Sequence, residues 1–484
     1  MGWINYMIEM SPSRKNKISL ADYNYQRDIE NRLLMAQFST LDLDILEEIL
    51  YSSLTLPLRK LCKNIDVDEE KVLPILQKLS KTGLFIIEGD VIHVDKEMRK
   101  YYESQILKFD EEFKPGMEFL QSLLRKVPIH VLPTWYSIPR TSNNIFDSIV
   151  EKYLLTPQIF QRYLMELNFN DPTLTGIIHD VYNSAELKVF SRDLIEKYGL
   201  TREQFEEYML HLEFNFVCCL GYNRGTDVWK EVVTPFYEWA EYLRFLKTTE
   251  LESIQNPSQI KRLRPHDFSF IQEMSVILNL AKKQPIVLVS SKEGVYLPQK
   301  TTLATILSKC EGLQENDPNL DHYLDRLISK LRMIKLADIV DGRLYALEAA
   351  NDWLDMRLEN RASYVYRHPL NRLVSEEIPA YLCTERNIRE AEKSILRVLN
   401  SGWVYFDEFV KGTLVMLGEG STIVLKRLGK TWKYALPEYT DEEILLLKAT
   451  VLDWLYELGI VAIGTFNGRE CFCVTPFGQS LFGR

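Results

Sequence analysis

A pattern that recurs along the chain restricts the fold more than any other feature. Residues 451–483 read VLDWLYELGIVAIGTFNGRECFCVTPFGQSLFG. Leu452, Leu455, Tyr456 and Leu458 recur at three- and four-residue spacing, which aligns them on one face of a helix. Gly459 suits the left-handed residue that ends such a helix, because it has no Cβ to clash. Ile460 to Phe466 is rich in β-forming residues. Asn467 and Gly468 both tolerate positive φ, so they predict a two-residue hairpin turn. Thr475 can cap a new helix with its hydroxyl, and Pro476 fits the first helical position. The stretch predicts a helix, a β-hairpin and a capped helix.

The same unit occurs in three other places. Residues 220–243 hold a turn at Asn223 to Asp227, a strand and a second Val-Thr-Pro-Phe (Val233 to Phe236). Residues 327–348 hold a helix and two strands joined at Asp341-Gly342. Residues 76–95 turn at Glu88 to Asp90 and end on Asp95, a capping residue. The spacing is irregular, which excludes a solenoid of fixed period. Two further helical segments precede each unit; in the first copy they are 41–51 and 56–65, ahead of a helix from Asp68 to Thr82. Two helices, a third helix and a hairpin describe a winged helix, a form of helix-turn-helix.

The fold expected is therefore mostly α with small β-hairpins (α+β), as tandem winged-helix domains packed into one elongated body. The division expected is 1–108 for an N-terminal arm and the first winged helix, 109–172 for a helical connector and 173–255 for the second winged helix. A linker with a helix follows at 256–284, then the third winged helix at 285–370 and the fourth at 371–484. The fourth is stretched by an insertion between Trp403 and Tyr439. A short hairpin turning at Lys292 to Gly294 is expected to open the third copy. A length of 484 residues accommodates this number of domains, and 46% hydrophobic residues supply real cores.

No run of eighteen apolar residues occurs, so no membrane span is expected. The N-terminus lacks the order of a signal peptide, and Tyr6 stands where a myristoylation signal wants Ser or Thr. Seven scattered cysteines fit a reducing compartment. The location expected is cytoplasmic or nucleoid-associated.

Few residues suggest chemistry. Cys471 and Cys473 alternate along one strand, on one face, but no second cysteine pair offers the further ligands a zinc site needs. They are expected to pack a strand against its helix. Gly429-Lys430-Thr431 resembles the end of a phosphate-binding loop, but Val424 stands where that loop requires glycine. An exposed basic loop is expected there. The histidines are single and scattered. No catalytic residue, cofactor or metal is expected, and the chain is expected not to be an enzyme.

Binding remains, and charge separates the partners. The third helix of a helix-turn-helix enters the major groove, so an acidic one is repelled by phosphate. Asp68 to Thr82 balances Asp68, Glu69 and Glu70 against Lys71, Lys78 and Lys81. Thr201 to Asn215 sums to −3 and Asp441 to Gly459 to −4. Asp321 to Lys335 sums to +2, with Arg326, Lys330, Arg332 and Lys335 against Asp321 and Asp325. Arg326 and Lys330 share a helix face; Lys335 would lie about 140° beyond Lys330. Arg224, Arg343 and Arg469 sit at or beside the hairpin turns, where an arginine can reach phosphate. Further basic clusters are 13–17 in the N-terminal arm and 261–266 in the linker. The net charge of −10 confines any contact with double-stranded DNA to local basic faces, and the acidic copies suit packing against one another or a protein partner.

Residues 331–367 and 451–483 resemble the winged-helix arrays found beside the motor of XPB-type helicases and in motorless XPB/Ssl2-like proteins. The shared features are a helix ending Leu-Gly-Ile-Val, a hairpin, and a Thr-Pro-Phe-Gly helix start. The resemblance implies an accessory DNA- or protein-binding role, without helicase activity because the phosphate loop is missing. Two readings follow: a DNA-associated binding protein acting in transcription or repair, and a protein-interaction scaffold that uses winged helices as adaptors.

Overall fold

The hairpin turns form where residues tolerate positive φ. In a computed structural model of the chain, Val461–Phe466 pairs with Arg469–Val474, closing on Phe466 opposite Arg469. Asn467 (φ 51°) and Gly468 (φ 76°) make the two-residue turn. Asp341 and Gly342 do the same between Ala337–Val340 and Arg343–Ala346. Thr475 accepts the Gly478 N–H and caps helix Pro476–Phe482, and Asp95 caps Lys96–Ile106. The structure describes residues 14–15, 17–110, 113–141, 144–224, 229–290, 296–368, 377–418, 422–429 and 431–483. The turn expected at Asn223 to Asp227 falls partly on 225–228, and that at Lys292 to Gly294 on 291–295; both lie outside the described residues. The strands flanking the latter, Ile286–Ser290 and Tyr296–Pro298, do pair.

The fold is mixed, mostly helical, with small sheets that are antiparallel except for a two-residue parallel pairing of Arg14–Lys15 with Leu167–Asn168. Two segments share the order helix, short strand, helix, helix, hairpin; a third has a strand pair in place of the short strand, and a fourth has a hairpin inserted between its second and third helices. The first runs Thr40–Tyr51, Thr55–Pro57, Leu58–Ile65, Glu69–Ser80, Phe85–Glu88 and Val91–Val94, and its last strand lies in the middle of a three-stranded sheet. The second runs from Pro172–Asn183 to Trp229–Thr234 with the same strand order. The third begins at Ser269–Lys283, so that helix belongs to a domain core and not to a linker. Ile271, Met274 and Leu278 are fully buried in it. Lys261–Arg262, also expected in the linker, forms an edge strand beside Thr465 and Gly464. The fourth begins at Glu385–Lys393, and its third helix is a continuous run of Asp441–Lys448, a π-helical Ala449–Trp454, and Leu455–Glu457.

The chain divides into two compact units. One holds residues 1–244 with 424–435; the other holds 245–423 with 436–484. In the first, the Gly-Lys-Thr region is a hairpin, Leu425–Leu428 with Thr431–Tyr434, and not the loop expected. Leu425 donates its N–H to Leu155 O, and Tyr434 its hydroxyl to Leu154 O. Lys430 lies outside the described residues. In the second, one apolar core runs through the third and fourth copies, from Phe270 and Leu327 to Leu455 and Phe472.

Candidate nucleic-acid interface

The exposed side chains of the third helices decide what these faces can contact. On Leu320–Met333, Arg326 and Lys330 do share a face, but that face is turned inward. Arg326 donates from Nε to Glu457 Oε1 at 2.8 Å, again to the same oxygen from Nη2, and from Nη1 to Asp453 Oδ1 at 3.1 Å. Lys330 Nζ lies 3.3 Å from Glu457 Oε2 and 4.3 Å from the centre of the Trp454 ring. Lys330 and Glu457 are each only 3% exposed. Burial lowers the Lys330 pKa, and Glu457 opposes that shift. Burial would also lower that of Arg326, but Glu457 and Asp453 outweigh it and hold it above its ordinary value. The expectation that Arg326 and Lys330 read DNA is therefore corrected. Two cations of the +2 helix face two carboxylates of the −4 helix inside one unit.

The other basic candidates divide. Arg332, Lys335 and Arg343 are exposed. Arg332 Nε is 4.0 Å from Asp338 Oδ1. Lys335 follows the helix end with φ 56°, so the angular offset expected of a continuing helix does not apply. Arg343 opens its strand directly after the turn. Lys71 and Lys81 are exposed. Lys78 is engaged within the protein: its Nζ donates to Asp42 Oδ2 and Gln37 O, each at 3.0 Å, and lies 5.3 Å from the Phe38 ring centre. Arg469 sits beside its turn but binds Asp407 at 2.6 Å and Glu408 at 3.1 Å, with its guanidinium 3.9 Å from the Tyr405 ring centre. Arg224 ends strand Cys219–Arg224, and its side chain lies outside the described residues.

Half of the acidity of the second copy's third helix is also internal. Glu206 and Glu213 on Arg202–Phe214 are fully buried against Arg32, which belongs to helix Tyr25–Met35. Arg32 Nη2 donates to Glu213, and Nη1 lies 3.6 Å from Glu206. Asp28 joins through Lys126 at 2.9 Å and through the Tyr101 hydroxyl at 2.6 Å. Burial raises the Glu213 pKa, but Arg32 and Lys108 outweigh it and keep the carboxyl below its ordinary range. Lys108, 3.9 Å from Glu213, is pushed down to about 8 by burial. Nothing in the sequence marked Arg32 as the partner; it lies 174 or more residues from both glutamates, and only the unexplained −3 of the helix hinted at a cation elsewhere.

The cysteines and one cavity remain to be placed. Cys471 is buried beside Ile254 and Ile260, not against its own helix, while Cys473 is half-buried. Among the described residues, no group of three His, Cys, Asp or Glu can hold a metal. No helix among the described residues is long and apolar enough to cross a membrane. A cavity of about 260 Å³ in the first unit is lined by Phe38, Phe109, Tyr222, Trp229, Arg202 and Glu231. Three of its polar groups bind one another: Arg202 and the Ser191 hydroxyl both donate to Glu231, at 2.5 and 2.6 Å. No protein-family model matches the chain, and no characterised protein matches it as a relative.

Proposed function

We propose that the four repeated segments are winged helices serving as protein-packing adaptors, and that the chain is a non-catalytic interaction scaffold. One observation carries this reading: Arg326 and Lys330, the best-placed groove-reading pair, are neutralised by Glu457 and Asp453. A third helix used this way is a packing element. The buried glutamates of the second copy support the same use. The likeness to motorless arrays of the XPB type fits an accessory role without a motor.

A second reading, DNA association in transcription or repair, is favoured by the exposure of Arg332, Lys335 and Arg343 on one copy. Salt-titrated binding of the whole chain to a mixed-sequence duplex separates the two. The scaffold reading expects weak binding that Arg332→Ala/Lys335→Ala/Arg343→Ala leaves unchanged. Tight binding whose log–log salt slope falls by roughly 2 to 3 in that variant would establish the DNA reading instead.

A further inference from the structure

The sheet of the third copy carries apolar residues on both faces. Its strands are ordered Tyr296–Pro298, Ile286–Ser290, Arg343–Ala346, Ala337–Val340. Directly paired residues share a face. Ile286 with Leu344, and Ile339 beside Leu344, point to the core. The opposite face carries Val287, Arg343 and Val340 in one row, with Val289 beside Leu297, and Tyr345 beside Asp338. Val289 is 54% exposed, Val340 52%, Leu347 39% and Tyr345 37%. An antiparallel sheet with one solvated face normally alternates apolar-in and polar-out. Here valine, leucine and tyrosine hold most of the outward positions, with Arg343 and Asp338 the charged ones, the pattern of a face that another element covers.

Three features narrow the occupant. Four strands about 4.8 Å apart and three to five residues long make a face of roughly 250 Å². A stable dimer needs about 800 Å² per partner, so a second copy of the chain is a poor fit. One of the two edges, Ala337–Val340, is blunted against an added strand: Asp338 Oδ1 accepts the Ile339 N–H at 2.8 Å. Lastly, Arg343 stands between Val287 and Val340 with no ion-pair or hydrogen-bond partner for its guanidinium among the described residues. A guanidinium set in an apolar row calls for a carboxylate. At 1.5 Å per residue, about twelve helical residues span the face.

We propose that this outer face docks an acidic amphipathic helix of a partner protein, its apolar stripe covering Val289, Val340, Tyr345 and Leu347 and a carboxylate meeting Arg343. The inference rests on the scaffold reading and names the kind of partner. It also gives the exposed Arg343 a use other than phosphate contact.

A displayed library of randomised fourteen-residue helical peptides tests it, panned on the whole chain and in parallel on Val289→Ser/Val340→Ser and on Arg343→Glu. Circular dichroism and thermal unfolding confirm that each variant is folded. The expected winners carry apolar residues at i, i+3, i+4 and i+7 with an Asp or Glu inside the stripe. They should bind the serine variant at least tenfold more weakly, and Arg343→Glu should select Lys or Arg at the acidic position. Winners with alternating, strand-like patterns would mean edge addition and overturn the proposal. Basic helices selected by the unaltered chain would overturn the charge argument. Peptides that bind the serine variant equally well would remove this face and leave the scaffold reading standing. No enrichment on any of the three chains counts against both.

Discussion

Replacing Glu457 with glutamine tests the packing of the third helix directly. Its carboxylate receives Arg326 through Nε and Nη2 and faces Lys330 Nζ at 3.3 Å, while Lys330 is 3% exposed. Glutamine keeps the shape and one acceptor but removes the charge, leaving two cations against a site built for a carboxylate. Removing one partner of a buried ion pair costs about 3–5 kcal/mol, because the remaining charge stays desolvated. For a folding unit of about 150–250 residues, 3 kcal/mol lowers Tm by about 6–12 °C. Adding Lys330→Met should recover much of that loss, since a methionine of similar length fills the volume without a charge and can lie against the Trp454 ring. The assay is thermal and urea unfolding of the three chains side by side. A loss below about 1 kcal/mol in Glu457→Gln, small against the usual cost of an orphaned buried charge, would refute the claim that these side chains pin the two helices. So would a double variant no more stable than the single one.

Two further expectations follow from buried or strained positions. Glu238 accepts the Met117 N–H at 2.9 Å, and burial pushes its pKa up to about 7 from 4.5. The folded chain therefore holds a proton that the unfolded chain has released between those values. This contribution is full below 4.5 and is lost as pH rises through about 7, a change of about 3 kcal/mol. Glu238→Gln should flatten that part of the urea-midpoint profile between pH 5 and 8; an unchanged profile would show that the carboxyl is not the titrating group. At Asn467, φ 51° is left-handed, so Asn467→Val should cost roughly 1–2 kcal/mol in urea unfolding. A neutral result would mean that the turn relaxes to another type.

The parts of the fold set by local chemistry were legible. Asn467-Gly468 and Asp341-Gly342 mark turns that few other residue pairs can make, and Thr475 and Asp95 cap helices through their own side chains. What escaped depends on distant contacts. Ser269–Lys283 falls within the expected linker-and-helix stretch 256–284, and its apolar spacing marks an amphipathic helix without showing which core it joins. Leu425–Tyr434 looked like an exposed loop because its docking on Leu154 and Leu155 spans some 270 residues of chain. Cys471 was assigned to its own helix, whereas Ile254 and Ile260 reach it from far upstream.

Two residues of the candidate DNA face, Arg326 and Lys330, are engaged within the protein for a reason the charge counts already contained. A helix of +2 and a helix of −4 in one chain either face two different partners or face each other. Counting each helix alone favours the first outcome; Arg326 and Lys330 against Asp453 and Glu457 show the second. The two uses exclude one another, since a helix seated on Glu457 cannot also lie in a groove. Exposing Arg326 and Lys330 to phosphate would require breaking their ion pairs, at about 3–5 kcal/mol. If only that open state bound DNA, its apparent affinity would be weakened by roughly two to three and a half powers of ten. Two new phosphate contacts do not readily restore such a factor at physiological salt, where each gains by counterion release alone. DNA contact by this copy would therefore have to come from Arg332, Lys335 and Arg343, whose use leaves the core pair intact. That is why the triple variant at those three positions, and not one at Arg326 and Lys330, is the informative test.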